Sequence, residues 1–529
     1  MKLLLGLSAI TLLFACSSPQ ARAQAHEKPE AKPDAKQDAK PDKPAEKGDA
    51  KKDGTRSADE IVDTQSVTHH SVAIDGKPIA YTAKAGTIVL REEDGKKKAS
   101  VFYVAYTRDD TADPATRPIT FSFNGGPGSS SVWLHLGVLG PKRVDMGPDG
   151  LEFRPPFKLV DNELSWLEFT DLVFIDPVTT GFSRAVPGES DSPYHGVEGD
   201  VQSVAEFIRL LTTREKRWAS PKFLAGESYG TTRASALASY LENRSGIYLN
   251  GIVLVSVALN FQTLEFDAGN DLPYEVYVPT YAATAFYHKK LAPELQRDLH
   301  ATLDEVEKFT ANEYALALRK GSALSDAERK SIAEKLARYT GLSREYVERT
   351  NLRIQIERYC KELERADRRT VGRLDSRFEG IDHDAAGEVP DADPSFTAIM
   401  GPFTSALNNY LRTELNYESD LVYEIITGRV HPWKFDNTEN RYLNVAERLR
   451  QALTQNPSLR VFVACGYYDL ATPYYAAHYT FDHLGMDREI SGRISYGHYE
   501  AGHMMYIHGP SRAQMRKDVR DFYSAALVR

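Results

Sequence analysis

A serine flanked by glycines lies in the segment GESYG at residues 226–230. This segment directly follows an apolar run at 222–225 that predicts a buried strand, and residues 231–241 then have a helical pattern. A serine on a sharp strand-to-helix turn projects its hydroxyl from the edge of a sheet, where the helix N-terminus favours developing negative charge. The simpler interpretation is a glycine-rich turn that opens a helix. The strand and the helix together favour a nucleophile elbow with Ser228 as the nucleophile.

A second glycine-rich turn, NGGPG at residues 124–128, follows an apolar run at 119–123. If both runs are parallel strands, this turn and the elbow lie at the same carboxyl edge of the sheet. Glycines let the backbone approach a substrate oxygen closely. A plain turn before a helix is the alternative, but the position beside the elbow fits an oxyanion hole. The backbone amides of Gly126 and Tyr229 are the candidate donors.

A base that activates Ser228 is expected later in the chain, because enzymes with such an elbow have the order serine, acid, histidine. Asp469 comes just after the apolar run at 460–464, and His503 lies in a turn at 501–503. Taken singly, a loop aspartate is usually solvated and a histidine is usually a structural hydrogen-bonding group. The order and spacing favour Asp469 as the orienting acid and His503 as the general base.

The elements that must position these residues change in type along the chain. Between residues 66 and 107, candidate strands at 71–74, 79–82 and 87–91 occur together with the hairpin-turn dipeptides Asp75-Gly76 and Asp94-Gly95. Short apolar runs that predict buried strands follow at 119–124, 172–176, 222–225, 252–257 and 460–464, with a helical pattern at 201–211. This pattern predicts a mostly parallel α/β sheet with antiparallel N-terminal strands. Together with the elbow, it predicts an α/β-hydrolase fold.

Residues 265–442 interrupt this alternation with charged amphipathic patterns, for example at 325–339 and 343–367. Because strand-like sequence resumes at residue 460, we expect this stretch to be a helical cap over the site carried by the sheet. The predicted organisation is a signal peptide at 1–23, a disordered linker at 24–58, hydrolase core at 59–264, the cap at 265–442 and hydrolase core again at 443–529.

The first residues have the pattern of an export signal. Lys2 supplies a positive charge, and the apolar residues 3–15 are too few to span a bilayer. Two processing routes stay open, since residues 13–16 resemble a lipoprotein cleavage box ending at Cys16, whereas residues 21–23 fit ordinary signal cleavage. We expect an exported protein that is periplasmic, secreted or anchored to a membrane by a lipid at Cys16. Residues 24–58, rich in Lys, Asp, Ala, Glu and Pro, predict a disordered tether.

Composition limits the remaining functions. The net charge of −9 gives no basic surface for nucleic acid, so nucleic-acid binding is not expected. Cys360 and Cys465 are expected to be unpaired thiols rather than a disulfide. The histidines at 498, 503 and 508 are spaced by five residues, which does not place them on one helical face, so neither a metal site nor a cofactor is expected. Nothing in the sequence indicates an oligomeric state.

Four of these motifs occur in the order found in serine carboxypeptidases. The chain resembles that family at residues 119–257 and 460–506, with the four motifs at 124–128, 226–230, 466–469 and 502–504. The resemblance implies a catalytic triad of Ser228, Asp469 and His503 and an oxyanion hole formed by the amides of Gly126 and Tyr229. It also implies substrate contacts from Asn124, Gly125, Glu227 and Met504, with Asn124 and Glu227 binding the terminal carboxylate of a peptide.

The chain departs from the family in this carboxylate subsite. Ser122 stands where the family has a tryptophan, Val138 stands where it has a second carboxylate, and Ser129 replaces a usual cysteine. Glu227 must carry a proton to bind a substrate carboxylate, because two charged carboxylates repel each other. The alternative is that Glu227 only braces the elbow through a hydrogen bond with Asn124. Compensating cations could come from Arg233, Lys142 and Arg143, although ordinary structural ion pairs are the simpler interpretation.

The resemblance therefore implies a serine-type carboxypeptidase that acts on peptides through an acyl-enzyme. Two alternatives stay open at this point. One is an esterase or acyltransferase on the same fold, because an acyl-enzyme can be captured by an alcohol as well as by water. The other is a non-catalytic surface lipoprotein that uses the cap for binding.

Overall fold

The structure, a computed structural model, describes residues 57–435 and 438–528. The predicted signal peptide, Cys16 and residues 24–56 of the predicted linker lie outside the described residues. Among the residues described, no helix is both long enough and apolar enough to cross a bilayer.

Strands and helices alternate through most of the described chain. The strands are β1 (Thr64–Ile74), β2 (Lys77–Arg91), β3 (Lys97–Arg108), β4 (Ile119–Phe123), β5 (Lys142–Asp145), β6 (Lys158–Asp161), β7 (Asp171–Ile175), β8 (Arg184–Ala185), β9 (Lys222–Ser228), β10 (Gly251–Val257), β11 (Arg369–Val371), β12 (Glu379–Ile381), β13 (Arg460–Gly466) and β14 (Ile494–Tyr499). The helices are α1 (Val132–Leu134), α2 (Val197–Arg214), α3 (Tyr229–Tyr240), α4 (Leu272–Val276), α5 (Val278–Tyr287), α6 (Leu299–Phe309), α7 (Ala315–Lys320), α8 (Asp326–Thr340), α9 (Arg344–Arg349), α10 (Ile356–Glu362), α11 (Pro394–Thr413), α12 (Ala446–Gln455), α13 (Tyr474–Asp482), α14 (Arg488–Ser491) and α15 (Gly509–Leu527).

In the described chain, one large sheet carries the site. Its strand order is β1-β2-β3-β7-β4-β9-β10-β13-β14, with β8 paired to β3. The strands from β1 to β3 and the β3–β7 pair are antiparallel, and the pairs from β7 through β4, β9, β10 and β13 to β14 are parallel. The predicted α/β-hydrolase fold, a mostly parallel sheet with antiparallel N-terminal strands, is confirmed.

The central parallel strands are apolar on both faces because helices cover both sides of the sheet. Every residue of β4 and β10 is buried, and so is β9 up to Glu227. One apolar cluster lies between one face of the sheet and helices α2, α3 and α12. A second cluster lies between the opposite face and helices α11 and α15. The strand ends near Ser228 are therefore fixed from both sides.

Some local predictions need correction. The predicted strands 79–82 and 87–91 are parts of one strand, β2, because the alternating pattern continues through Thr82–Thr87 without a turn. The pattern at 343–367 is two short helices, α9 and α10, since Asn351 and Leu352 both adopt positive φ between them. Strand β14 was not predicted from the sequence, because Gly497 and His498 interrupt its apolar pattern.

Other local predictions hold. The Asp75-Gly76 turn joins β1 to β2 with positive φ at both residues, as a tight hairpin requires. Helix α8 begins with the capping box formed by Ser325 and Glu328. Cys360 and Cys465 are both buried free thiols.

Candidate active site

Ser228 ends β9 and precedes α3, and its backbone adopts φ 59° and ψ −129°. A residue with a side chain rarely adopts this conformation, and such strain is concentrated at functional sites. Small neighbours make the turn possible, because a Cβ on Gly226 would lie 2.2 Å from the carbonyl oxygen of Gly230. A Cβ on Gly230 would lie 2.8 Å from the carbonyl oxygen of Phe123 on β4. This is the geometry of a nucleophile elbow.

His503 and Asp469 are joined by a hydrogen bond, although 34 residues separate them in the chain. The Nδ1 atom of His503 lies 2.8 Å from Oδ2 of Asp469, and both side chains are buried. Because Nδ1 faces Asp469, Nε2 is the ring nitrogen that remains for a substrate or a nucleophile.

Thr472 completes the surroundings of Asp469, and the sequence analysis did not single it out. Its hydroxyl donates to Oδ2 of Asp469 over 2.7 Å, the same oxygen that faces His503. The backbone amides of Ala471 and Thr472 donate to Oδ1 over 2.8 Å and 3.0 Å. A threonine three residues after the acid, in the turn that follows β13, is a signal that could have been read from the sequence.

Ser228, Asn124, Glu227 and His503 line one cavity of about 670 Å³. Among the described residues, no hydrogen bond joins the hydroxyl of Ser228 to Nε2 of His503. Such contacts are often long in unliganded sites and tighten when a substrate binds. The structure thus brings the three predicted triad residues to one site, with the contact from Asp469 to His503 already formed.

The environment sets the proton affinity of the base. Burial would lower the pKa of His503, but the charge and the hydrogen bond of Asp469, together with the charge of Glu227, outweigh burial, so that the pKa is raised above its ordinary value. A protonated His503 ring is therefore stabilised at this position.

The two glycine-rich turns pack against each other. A Cβ on Gly125 would lie 2.4 Å from the backbone nitrogen of Tyr229, so only glycine allows this approach. Gly126 has φ +101°, a conformation that favours glycine. Both Gly126 and Tyr229 line the cavity beside Ser228, where their amides were predicted to lie.

Next to the elbow, two polar side chains share a buried corner of the cavity. Glu227 is 3% exposed, and burial raises its pKa to about 7, although the charge of His503 and the contacts with Tyr506 and Asn124 act to lower that pKa. The Oδ1 atom of Asn124 accepts a hydrogen bond from the backbone of Leu134 over 3.1 Å. Its Nδ2 is buried and makes no well-formed hydrogen bond within the described residues. A buried donor without a well-formed hydrogen bond, next to a protonatable carboxyl, is suited to a ligand oxygen.

Tyr506 is the second residue that the sequence analysis missed. It is fully buried, and its hydroxyl donates to Oε2 of Glu227 over 2.5 Å. No sequence signal could have found this contact, because the two residues are 279 positions apart.

The residues that depart from the family pattern, Val138, Ser122 and Ser129, are all buried in the structure. Val138 is fully buried in the apolar cluster around α1, and Ser122 is also buried, with no hydrogen-bond partner for its hydroxyl among the residues described. Ser129 accepts a hydrogen bond of 2.8 Å from the indole nitrogen of Trp133, which lines the cavity. The aliphatic Val138 thus replaces the second carboxylate that the resemblance implies, and Glu227 supplies the carboxyl next to Asn124.

The three candidate cations are structural. Arg233 is buried, pairs with Asp200 over 2.8 Å and donates to the backbone oxygen of Asn124. Lys142 pairs with Asp161 over 2.9 Å, and Arg143 lies 3.5 Å from Asp145. Arg233 therefore braces the turn at Asn124, and neither Lys142 nor Arg143 is among the residues that line the cavity.

Most of the remaining cavity wall comes from residues of the predicted cap and is aromatic or aliphatic. These residues are Phe266, Tyr277, Ile356, Leu374, Phe396, Ile399, Ile426, Trp433 and Phe435. Met504, next to the base, lines the same cavity. A mostly apolar cavity with a few convergent polar groups is typical of a binding site for an organic substrate.

The three equally spaced histidines do not converge. His498 pairs with His478 through their Nε2 atoms at 2.8 Å, and His508 pairs with Ser511 over 2.7 Å. Elsewhere, His288, Glu364 and Glu379 lie close enough together to ligate a metal, but Lys290 already binds Glu364 over 2.7 Å.

Comparisons with known proteins place this geometry in context. The family model described as "Serine carboxypeptidase" matches residues 77–504. Serine carboxypeptidase-like 36 of Arabidopsis thaliana is 30% identical over 198 residues, which cover 35% of this chain and 37% of that protein. Pheromone-processing carboxypeptidase KEX1 of Saccharomyces cerevisiae is 41% identical over 104 residues, which cover 19% of this chain and 13% of that protein.

A crystal structure of the prohormone-processing carboxypeptidase KEX1(delta)p of Saccharomyces cerevisiae has a similar fold. It superimposes with a TM-score of 0.52 at 18% identity, covering 89% of this chain and 97% of that one. In sequence, the chain spans only 37%, 45% and 50% of the length of three curated Arabidopsis thaliana relatives.

Proposed function

Because this chain belongs to the serine carboxypeptidase family, we propose that it removes C-terminal residues from peptides through an acyl-enzyme on Ser228. The observation that carries the proposal is that the Glu227 carboxyl and Nδ2 of Asn124 lie in the cavity that holds Ser228 and His503, and that this Nδ2 makes no well-formed hydrogen bond among the described residues. A free carboxylate at the end of a peptide would accept hydrogen bonds from both groups.

The proposed reaction begins when Ser228 attacks the carbonyl carbon of the last peptide bond. His503 takes the hydroxyl proton at Nε2, and Asp469 holds the imidazolium in orientation. The oxygen of the tetrahedral intermediate receives hydrogen bonds from the amides of Gly126 and Tyr229. The carbon–nitrogen bond then breaks, His503 protonates the departing amine, and water releases the acyl group by the same steps in reverse.

In the proposed complex, the terminal carboxylate accepts hydrogen bonds from Nδ2 of Asn124 and from the protonated carboxyl of Glu227. A charged Glu227 would repel this carboxylate, but burial raises its pKa to about 7, so that it carries a proton below neutral pH. Gly125 and Met504 border the same corner. The apolar residues of the cap then contact the side chain on the acyl side of the scissile bond.

A second candidate, an esterase, is favoured by one observation. Val138 places an aliphatic side chain where the resemblance implies a second carboxylate, so a single carboxyl serves the corner. Discrimination against substrates without a free carboxylate would then be weak, about 1 to 3 kcal/mol, as expected for one unpaired polar group. Esters are then turned over by the same triad.

We also propose that the protein is exported, on the strength of the pattern in its first 23 residues. Release from membranes in a Cys16→Ser variant would support a lipid anchor at Cys16, and unchanged fractionation would support ordinary signal cleavage.

The function is tested by incubating the purified protein with a library of unmodified peptides and following the products by mass spectrometry. Successive loss of single C-terminal residues supports a carboxypeptidase, whereas internal cleavage or hydrolysis of esters alone would overturn it. Labelling of Ser228 by a fluorophosphonate separates both enzymes from a non-catalytic binding protein, and Ser228→Ala is the matched control.

A further inference from the structure

A short segment of the predicted cap contacts the loops of both Asp469 and His503. It comprises residues 374–377, which we call the strap, in the turn between β11 and β12. These residues precede Asp469 by about 90 positions in the sequence and reach it only through the fold. The contacts go to backbone atoms of the catalytic loops.

The strap holds the loop of the base at two points. The backbone nitrogen of His503 donates to the carbonyl oxygen of Leu374 over 2.7 Å. The nitrogen of Gly502 donates to Oδ2 of Asp375 over 3.1 Å. The two chains lie so close that a Cβ on Gly502 would come within 2.4 Å of Cα, Cβ and Cγ of Asp375. The peptide bond before His503 therefore has little freedom to move.

The next strap residue holds the loop of the acid. Both the backbone nitrogen and the hydroxyl of Ser376 donate to the carbonyl oxygen of Tyr468, over 3.0 Å and 3.1 Å. Tyr468 immediately precedes Asp469. One segment thus fixes the peptide groups beside both members of the hydrogen bond that orients the base.

The strap is itself firmly held. Arg377 binds Asp375 with two nitrogens, Nη2 to Oδ2 at 2.6 Å and Nε to Oδ1 at 3.0 Å, and both side chains are buried. The hydroxyl of Ser395 on α11 accepts from the backbone nitrogens of Leu374 and Asp375 over 3.1 Å and 3.2 Å. A buried bidentate pair of this kind fixes geometry better than a single contact.

The strap also borders the cavity, because Leu374 lines it together with His503. A substrate that fills this cavity therefore contacts the same peptide segment that positions the base.

We propose that the strap positions the Asp469–His503 pair for catalysis, with Asp375 as its central positioning residue. The inference rests on the proposed function, since it needs a working triad to be observed. Its physical basis is the steep dependence of rate on geometry, because a shift of about 1 Å in a catalytic group can lower the rate on the order of 100-fold. The cap then does more than cover the cavity, because it also contributes to the geometry of the base.

The test compares Asp375→Asn with a matched control, Asp171→Asn. Asp171 is also a buried aspartate held by an arginine, with Arg217 at 2.6 Å, but it begins β7 at the opposite edge of the sheet from Ser228. For both variants, kcat and KM are measured on a small ester, together with the rate of fluorophosphonate labelling and the melting temperature. The ester contacts Ser228 without needing the carboxylate corner.

We expect Asp375→Asn to lower kcat and the labelling rate roughly 10- to 100-fold with KM within about twofold of wild type. Asp171→Asn should lower the melting temperature while kcat at a temperature well below melting stays at the wild-type value. Equal kcat in Asp375→Asn and wild type would overturn the inference, and so would equal kcat losses in Asp375→Asn and the control.

A milder variant covers the case in which Asp375→Asn does not fold. Arg377→Lys keeps the positive charge but cannot hold both oxygens of Asp375. We expect it to lower kcat several-fold with KM unchanged, and wild-type kcat in this variant would overturn the inference. If wild-type protein neither hydrolyses the ester nor is labelled at Ser228, the proposed function fails instead, so the two failures are distinct.

Discussion

The hydroxyl of Tyr506 donates a hydrogen bond of 2.5 Å to Oε2 of Glu227, in the buried corner beside Ser228. Space for the Tyr506 ring exists because residue 137 is glycine, where a Cβ would lie 2.3 Å from Cε2 of the ring. With Oε2 engaged as an acceptor, Oε1 is the oxygen that can carry a transferable proton. In the proposed complex, the substrate carboxylate therefore binds to Oε1 of Glu227.

Tyr506→Phe should raise the pKa of Glu227 further, because the hydrogen bond from Tyr506 favours the charged carboxylate and lowers that pKa. The alkaline fall in kcat/KM for free-carboxyl peptides should therefore move to higher pH than in wild type. Esters serve as the internal control, since their profile should stay unchanged. A move to lower pH would contradict the assigned direction of the hydrogen bond.

Substitution of Ser228 should separate activity from stability. Both Ser228→Ala and Ser228→Gly should lower kcat on the order of 10⁴-fold or more, because the nucleophile is lost. Ser228→Gly should also be more stable than Ser228→Ala by about 1 kcal/mol or more, since glycine adopts the positive φ of 59° at this position without strain. Chemical denaturation measures the difference, and equal stabilities would argue that the elbow is not strained.

Substitutions of Asp469 and of its neighbour Thr472 should lower kcat by different amounts. Asp469→Asn should lower kcat by about 10⁴-fold, because an amide at this position favours the wrong tautomer of His503. Thr472→Val removes only the hydroxyl that donates to Oδ2 of Asp469, and a fall of roughly 10-fold is expected for a hydrogen bond to a charged group. Both variants should keep KM near the wild-type value in steady-state assays. A Thr472→Val variant as impaired as Asp469→Asn would mean that Thr472 has a more direct role.

The parts of the site that could be predicted from sequence are those encoded locally. The elbow at Ser228 was predictable because its strand, its turn and its helix lie within about 20 consecutive residues. The pair of Asp469 and His503, whose hydrogen bond the structure shows, was predicted from the position of Asp469 after an apolar run and from the chain order serine, acid, histidine. The contacts of Tyr506 with Glu227 and of the strap with Gly502 could not be predicted, because they depend on how distant segments pack. The strand β2 and the break between α9 and α10 were mispredicted because the local pattern alone does not fix where a turn falls.

The pH dependence of kcat/KM should differ between substrates with and without a free C-terminus. Catalysis needs His503 unprotonated, and its raised pKa means that activity on any substrate falls as pH decreases through that value. Binding of a free carboxylate needs Glu227 protonated, so this binding falls as pH rises through about 7. Free-carboxyl peptides should therefore give a narrow bell-shaped profile of kcat/KM, whereas esters and amidated peptides should rise to a plateau. Because the two groups share one cavity, the limits of the bell belong to the pair rather than to either residue alone.

Glu227→Gln is the decisive variant for this prediction. An amide keeps a hydrogen-bond donor at every pH, so the alkaline limb for free-carboxyl peptides should disappear. The acid limb from His503 should persist but move to lower pH, because the charge of Glu227 that helps to raise the pKa of His503 is removed. The measurement is kcat/KM against pH for one peptide in its free and amidated forms, in wild type and in Glu227→Gln. Superimposable profiles for the two forms in wild type would contradict the carboxylate role of Glu227. The triad would keep its proposed role, and the esterase would become the better assignment.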